Sequence, residues 1–236
     1  MSRLRLLPLC LLLAFLPAGP AAAEAEAVAM LRYGGGKSGE CFSERFLARF
    51  NAATDGAVAG GFTRVEAASV DPAAYPVALL TGEGRFAFEP GEVENLRAYL
   101  AGGGLLIASA GCSDPGWAGS LEAALPGLLP PGGGWGPLED LPVEHPAFQR
   151  VFSVPVSTYV KGPPRKPTLL GSHRPDGTLA FVWSPEGLND TLGVTPACCC
   201  CGGNEVRSAE ELLVNLLAIA LDASPAAEAS GAGDAE

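Results

Sequence analysis

Positive charge is scarce in this chain. It carries 15 Lys and Arg against 26 Asp and Glu, giving a net charge of −11 and an isoelectric point near 4.7. No basic patch survives that balance, which excludes nucleic acid and anionic lipid as natural partners. Long apolar runs are missing as well. Past residue 16 no stretch reaches the ~20 residues that cross a bilayer. Leu212 to Leu221 is apolar, but it is short and Asn215 interrupts it. No internal repeat appears, and no linker divides the chain. Histidine is down to two residues, His145 and His173, so imidazole bases are few. Charged residues make up 17% and apolar residues 48%, which excludes a disordered chain. At 236 residues the chain can bury roughly 70% of its unfolded surface without staples. Its 31 glycines and 21 prolines imply many turns.

The first residues read as an address. Arg3 and Arg5 precede an apolar run from Leu6 to Leu16, broken only by Pro8. Pro17, Gly19 and Pro20 end it, and Ala21-Ala22-Ala23 supplies small residues for cleavage. This is the pattern of a secretory signal peptide over residues 1–23. Lipidation at Cys10 does not fit, because Leu9 stands where a small residue is expected. Cleavage removes two arginines and no acids, taking the net charge from −11 to −13. It leaves Cys41, Cys112, Cys198, Cys199, Cys200 and Cys201 for an exported, oxidising setting, periplasmic or extracellular. No membrane span remains after cleavage.

The rest alternates strands and helices. Val28 to Tyr33, Arg64 to Val70, Val77 to Thr81 and Leu105 to Ser109 read as strands. Ser43 predicts a helix start, with Phe46, Leu47 and Phe50 on one face to about Asn51. Pro90 sits at a first helical position, and Gly102-Gly103-Gly104 stops that helix. Val77 to Ser109 is therefore strand, helix, strand, a crossover that makes a parallel pair. Ser113 to Pro142 is rich in Gly and Pro, with one short helix near Leu121 to Leu125. Leu169–His173 and Leu179–Ser184 flank Pro175-Asp176-Gly177 and predict a hairpin. Ser208-Ala209-Glu210-Glu211 predicts a capping box opening a last helix. The expected architecture is a three-layer α/β domain over residues 24–222, its central sheet mostly parallel. Residues 223–236 read as a disordered tail. Three cysteine-bearing loops leave the carboxyl ends of these strands, where such sheets bind ligands.

Several short segments then stand in a telling order. They are Leu31-Arg32-Tyr33-Gly34-Gly35, Leu80-Thr81-Gly82, and Leu96-Arg97-Ala98-Tyr99-Leu100 with Gly102 to Leu106. Glu144-His145-Pro146 and Val214-Asn215 follow. Together they resemble the bacterial domain of unknown function 4159 family over Val28 to Leu221. The resemblance implies a flavodoxin-like sheet of the class I glutamine amidotransferase kind, and no particular reaction. The four-cysteine run implies a distinct subgroup.

The cysteines admit three readings. Six pair evenly as disulfides, and bridges from Cys41 and Cys112 into the 198–201 run would tie three loops together. Alternatively Cys198 and Cys201 have zinc-ligand spacing, and Cys41 and Cys112 complete four soft ligands for Zn or Cu. Finally, Cys112 follows a central strand at the place where an amidotransferase-like fold keeps its nucleophile. That chemistry needs a histidine base. It also expects a glycine two places on, where this chain has Asp114.

Other candidates fare less well. Gly34 to Ser38 fails the phosphate-loop spacing, because Leu31 stands where the first glycine belongs. Trp117, Trp135 and Trp183 lack regular spacing and read as core or loop anchors. Glu139, Asp140 and Glu144 read as a solvated turn. Asn189-Asp190 lies just before the cysteine run and could offer oxygen ligands, and Asn204-Glu205 just after it could cap the final helix region or line the same crevice. The expectation is an exported, non-hydrolytic domain binding a ligand, metal or cell-envelope partner at a cysteine-lined sheet edge. A Cys112-dependent hydrolase and a disulfide-stapled structural envelope protein are the alternatives.

Overall fold

The computed structural model describes residues 28–35, 39, 42–129, 134–159, 161–189 and 205–226. Seven strands form one sheet. They are β1 (Val28–Arg32), β2 (Thr63–Glu66), β3 (Val77–Gly82), β4 (Leu105–Ala110), β5 (Glu139–Asp140), β6 (Leu170–His173) and β7 (Leu179–Ser184). Their spatial order is β2-β1-β3-β4-β7-β6-β5. The five strands from β2 to β7 pair in parallel, while β6 and β5 add antiparallel neighbours at one edge.

Four helices cover the sheet: α1 (Arg45–Ala53), α2 (Pro90–Ala101), α3 (Pro115–Leu128) and α4 (Ala209–Ala220). Alternation along the strands sorts the core into two layers. Met30, Leu79 and Ile107 pack with Phe46 and Phe50 of α1 and Leu212 to Leu217 of α4. Leu31, Leu80 and Leu106 point the other way, onto Leu96 and Tyr99 of α2 and Trp117 and Leu121 of α3. Both faces of β3 and β4 are covered, so all six residues of each are buried. That explains their continuous apolar runs. β2 lies at an edge, is mostly exposed and carries Arg64 and Glu66.

Most expected elements stand within two residues of their sequence positions. The exceptions have physical causes. Arg64 to Val70 keeps only its first half as strand, and the chain turns after Glu66. The short helix near Leu121 is a fourteen-residue helix with Pro126 in its last turn. Its start signal was present: Asp114 Oδ1 accepts from the Trp117 N–H at 2.7 Å, and Pro115 follows as the first helical residue. The box expected at Ser208 does not form, because its hydroxyl and N–H both bond to Ser157 Oγ at 3.0 Å. A capping box forms instead on α2. The Glu89 side chain accepts from the Glu92 N–H, while Glu92 accepts from the Glu89 N–H at 2.8 Å. Past Asp222 the chain still lies against α1, where Ala226 N donates to Ala53 O at 2.9 Å.

Asn215, which breaks the last apolar run, is fully buried. Its Oδ1 accepts from Val151 N at 2.8 Å and Phe152 N at 2.9 Å. Its Nδ2 donates to Ala147 O at 3.1 Å and Phe152 O at 2.9 Å. One amide thus satisfies the backbone of the segment that wraps α4. Asn215→Leu raises the helix's apolarity yet strands these groups. We expect it to cost about 3 kcal/mol or more, read as a lowered urea midpoint.

Candidate functional site

The chain leaves β1 towards β2 on one side and returns to place β3 on the other. The strand order therefore reverses between β1 and β3, and the carboxyl edge at that point is where sheets of this kind bind ligands. Tyr33 stands there, 1% exposed. Burial pushes its hydroxyl up, keeping the proton on, so it both donates and accepts. It donates to Thr81 O at 2.9 Å and accepts from Trp117 Nε1 at 2.5 Å. This pair joins β1, β3 and α3. It also fixes Gly82, where a Cβ would lie 2.5 Å from the Tyr33 oxygen.

Among the described residues no phosphate cradle forms there. The Glu92 carboxylate fills the start of α2 and takes the Gly34 N–H with both oxygens, at 3.0 and 3.1 Å. Asp114 fills the start of α3 in the same way. A bound phosphate would meet these carboxylates rather than open N–H groups.

Cys112 sits directly after the central strand β4, in a 3-10 turn from Gly111 to Ser113. Cys112 and Ser113 both have φ of 52°, a left-handed conformation that costs a non-glycine residue roughly 1–2 kcal/mol. Contacts among the described residues hold them. Cys112 N donates to Glu205 Oε1 at 3.2 Å, Ser113 Oγ donates to Glu186 O at 2.6 Å, and Asp114 N closes onto Gly111 O at 2.9 Å. A Cβ on Gly111 would meet Gly82 O at 2.8 Å, so β3 and β4 leave the sheet almost touching. The turn is sharp without the glycine that an elbow normally uses; Asp114 stands there because it caps α3. The Cys112 thiol donates to Glu83 Oε1 at 3.2 Å.

The bases of the three cysteine-bearing loops meet at this edge. Ser43, two residues after Cys41, donates its N–H to Asn189 Oδ1 at 2.9 Å. Asn189 and Glu205 flank the segment that carries Cys198 to Cys201, and Glu205 holds Cys112. Asn189 and Glu205 are both nearly fully buried. Cys41 and Cys198 to Cys201 themselves lie outside the described residues, as does the signal-like segment. Among the described residues no group of three His, Cys, Asp or Glu could hold a metal.

Glu83 and Glu186 escaped sequence reading, although each closely follows a buried strand. Glu186 anchors a strap across this edge. It pairs with Arg165 at 2.8 Å and accepts from Tyr159 OH at 2.8 Å and Thr168 N at 2.9 Å. Arg165 stacks over the Tyr159 ring at 3.7 Å. Burial pushes the Glu186 carboxyl up, but the hydrogen bonds from Thr168, Tyr159 and Arg165 outweigh it and hold it below its ordinary value. The tryptophans are core and loop anchors: Trp117 and Trp183 are buried, and Trp135 packs against their layer. Asp140 pairs with Lys166 at 2.6 Å on the surface.

Both histidines lie at the far edge. β6 runs antiparallel to β7, so His173 pairs with Leu179 where β7 begins. His145 is beside it, ring centres 5.6 Å apart. Cys112 follows the six residues of β4, a span of roughly 20 Å. With two histidines in the chain, both there, no histidine can activate the Cys112 thiol.

His145 opens a short 3-10 turn, its Nδ1 accepting from Ala147 N at 3.1 Å. Burial, then the neighbouring His173, lowers its proton affinity below the ordinary 6.5. The unfolded chain therefore binds this proton more readily, and stability falls as pH drops below 6.5 towards the folded value. His145→Asn keeps a capping acceptor and removes the titration. Urea midpoints at about pH 7.5 and about pH 5.5 should differ less in this variant than in the parent chain.

The family model described as Domain of unknown function (DUF4159) matches residues 27–221. No curated protein matches the chain. The matched span runs from β1 through α4 and takes in the Tyr33–Thr81–Trp117 tie, the Cys112 turn and the histidine pair. The chain belongs to the DUF4159 family.

Proposed function

We propose that this is an exported binding domain, non-hydrolytic, whose ligand, metal or envelope partner engages the carboxyl edge of the sheet. Residues 1–23 are its signal peptide, and the domain spans 24–222. Its parallel strand order, two-one-three-four and then β7, supports a flavodoxin-like fold of the amidotransferase kind.

One observation carries the reading. Ser43 to Asn189 and Cys112 to Glu205 are direct hydrogen bonds, so the bases of all three cysteine-bearing loops are tied at one edge. The chemistry supports binding over hydrolysis. Thiolates are activated by cations or imidazolium, whereas Cys112 has carboxylates as partners and both histidines stand at the other edge. Beside Glu83 and Glu205, a set of thiolates needs a cation to balance it, and Zn or Cu(I) suits such soft ligands. Bridged cysteines need none. In either form the six cysteines rigidify the edge for an occupant.

The test is a native, unreduced mass of protein exported through its own leader. The expected species begins at Glu24 and has no six-thiol form. It carries a stoichiometric metal, or it is short two hydrogens per cysteine pair. Cys112→Ser should then lose the metal or leave one cysteine unpaired. A chain starting at Met1, or six protonated thiols with no adduct, would overturn the proposal.

A further inference from the structure

The opposite edge, where β4 and β7 begin, holds a cavity of about 620 Å³. That volume suits a small ligand. Its walls are the last turns of α2 and α4, the β6–β7 hairpin, and the segment from His145 to Arg150. The helix ends contribute small or apolar residues such as Gly102, Gly103 and Ala220. The polar groups come from the other two walls.

The commitments of those groups differ. Arg174 is spent on the fold: it donates to Leu100 O at 2.7 Å, Thr178 Oγ1 at 3.0 Å, Leu179 O at 3.2 Å and also Gly104 O. Arg150 uses Nε on Ala223 O and Nη2 on Asp222, each at 3.2 Å. Its Nη1 has no partner among the described residues, and neither do the ring nitrogens of His173. His145 spends Nδ1 on accepting the Ala147 N–H, so a neutral ring carries its proton on Nε2. The two carboxylates of the lining are engaged. Asp176 accepts from Thr178 N and Oγ1, at 2.8 and 2.7 Å, while Asp222 pairs with Arg150 and stands fully in solvent.

A neutral His173 ring keeps one bare nitrogen, but the rest of what is left over is donors: the His145 Nε2–H, the other His173 ring nitrogen and the Arg150 Nη1. That is the complement of an oxyanion. A metal would need the reverse arrangement at His145, a bare Nε2 with the other nitrogen donating outward. We propose that this cavity binds a small organic anion, its carboxylate or phosphate group seated between the two imidazoles and the Arg150 guanidinium. An anion seated beside the His145 ring favours its charged form, so uptake strengthens as pH falls. The charged residues lining the cavity besides the pair are Arg150, Arg174, Asp176 and Asp222, which balance, and Glu144 adjoins His145 in the chain.

The chain's two histidines give two imidazole Hε1 resonances, each assignable by substitution. The full-length protein is titrated at about pH 6 with citrate and, separately, inorganic phosphate, at ionic strength fixed with sodium chloride. Both resonances should shift saturably with one dissociation constant, and the better of the two anions identifies the headgroup. His145→Asn, which keeps the turn capped, should weaken binding about tenfold, as should Arg150→Gln. Cys112→Ser should leave the anion dissociation constant at the histidines unchanged, which separates this site from the carboxyl edge. Shifts that stay linear, or that chloride alone reproduces, overturn the proposal. So does a saturable response of both rings to zinc with none to either anion.

Discussion

Burial of β3 and β4 on both faces is the constraint on which the structure depends. Twelve residues in two adjacent strands have no access to water. Chemistry can therefore sit only at the strand ends, and polar groups near those ends must find partners inside the protein. Tyr33 closes Thr81 O, and Ser109 Oγ accepts from Leu188 N at 2.7 Å. These bonds do more than satisfy the backbone. They bring the loop after β7 over β4 and lock the loop after β1 onto β3. The tied edge is a by-product of finishing a sheet that is dry on both sides.

The loops at that edge are tied by carboxylates and an amide. Glu92 holds Gly34, Glu205 holds Cys112, Glu186 holds the 157–168 strap, and Asn189 holds Ser43. Each takes a backbone N–H that would otherwise be left open at a helix start or in a loop. Acid is therefore concentrated where a nucleotide-binding sheet of this order would keep its phosphate site vacant. The same acids disfavour a free thiolate. The left-handed pair Cys112–Ser113 stands out here. The strand and helix it joins do not require two strained residues, and Gly111 already supplies the close approach.

How much was legible depended on whether the signal was local. The buried strands were plain as apolar runs, and α2 was bracketed by Pro90 and Gly102. α3 was obscured because Gly116, Gly119 and Gly127 dilute its periodicity, although Asp114-Pro115 marked its start. The capping motif at Ser208 was a true local signal that lost to a tertiary partner, Ser157. Its counterpart on α2 went unread because Glu89 is an unusual cap. The meeting of Ser43, Cys112, Asn189 and Glu205 at one edge could be inferred from strand ends alone. The separation of Cys112 from both histidines could not, because it follows from β6 running backwards into the sheet. Asn215 looked like an interruption in an apolar helix, and its four backbone partners are what make it indispensable there.

The charges that meet the helix ends are sorted along the strand direction, and the sorting has a simple origin. Helices of a parallel sheet run back against the strands, so helix starts gather at the carboxyl edge and helix ends at the other. Glu92, Asp114, Glu210 and Glu211 stand in or beside first turns, while Arg174 and Arg150 close the ends of α2 and α4. Each sign lies where the helix dipole favours it. These charges at the helix ends thus follow from the fold and need no ligand to explain them. What the dipoles leave unexplained is small and specific. At the carboxyl edge it is a strained cysteine hydrogen-bonded to a carboxylate. At the opposite edge it is two facing imidazoles and an arginine nitrogen that no helix end uses. Those residues are where selection for something other than folding has to be sought.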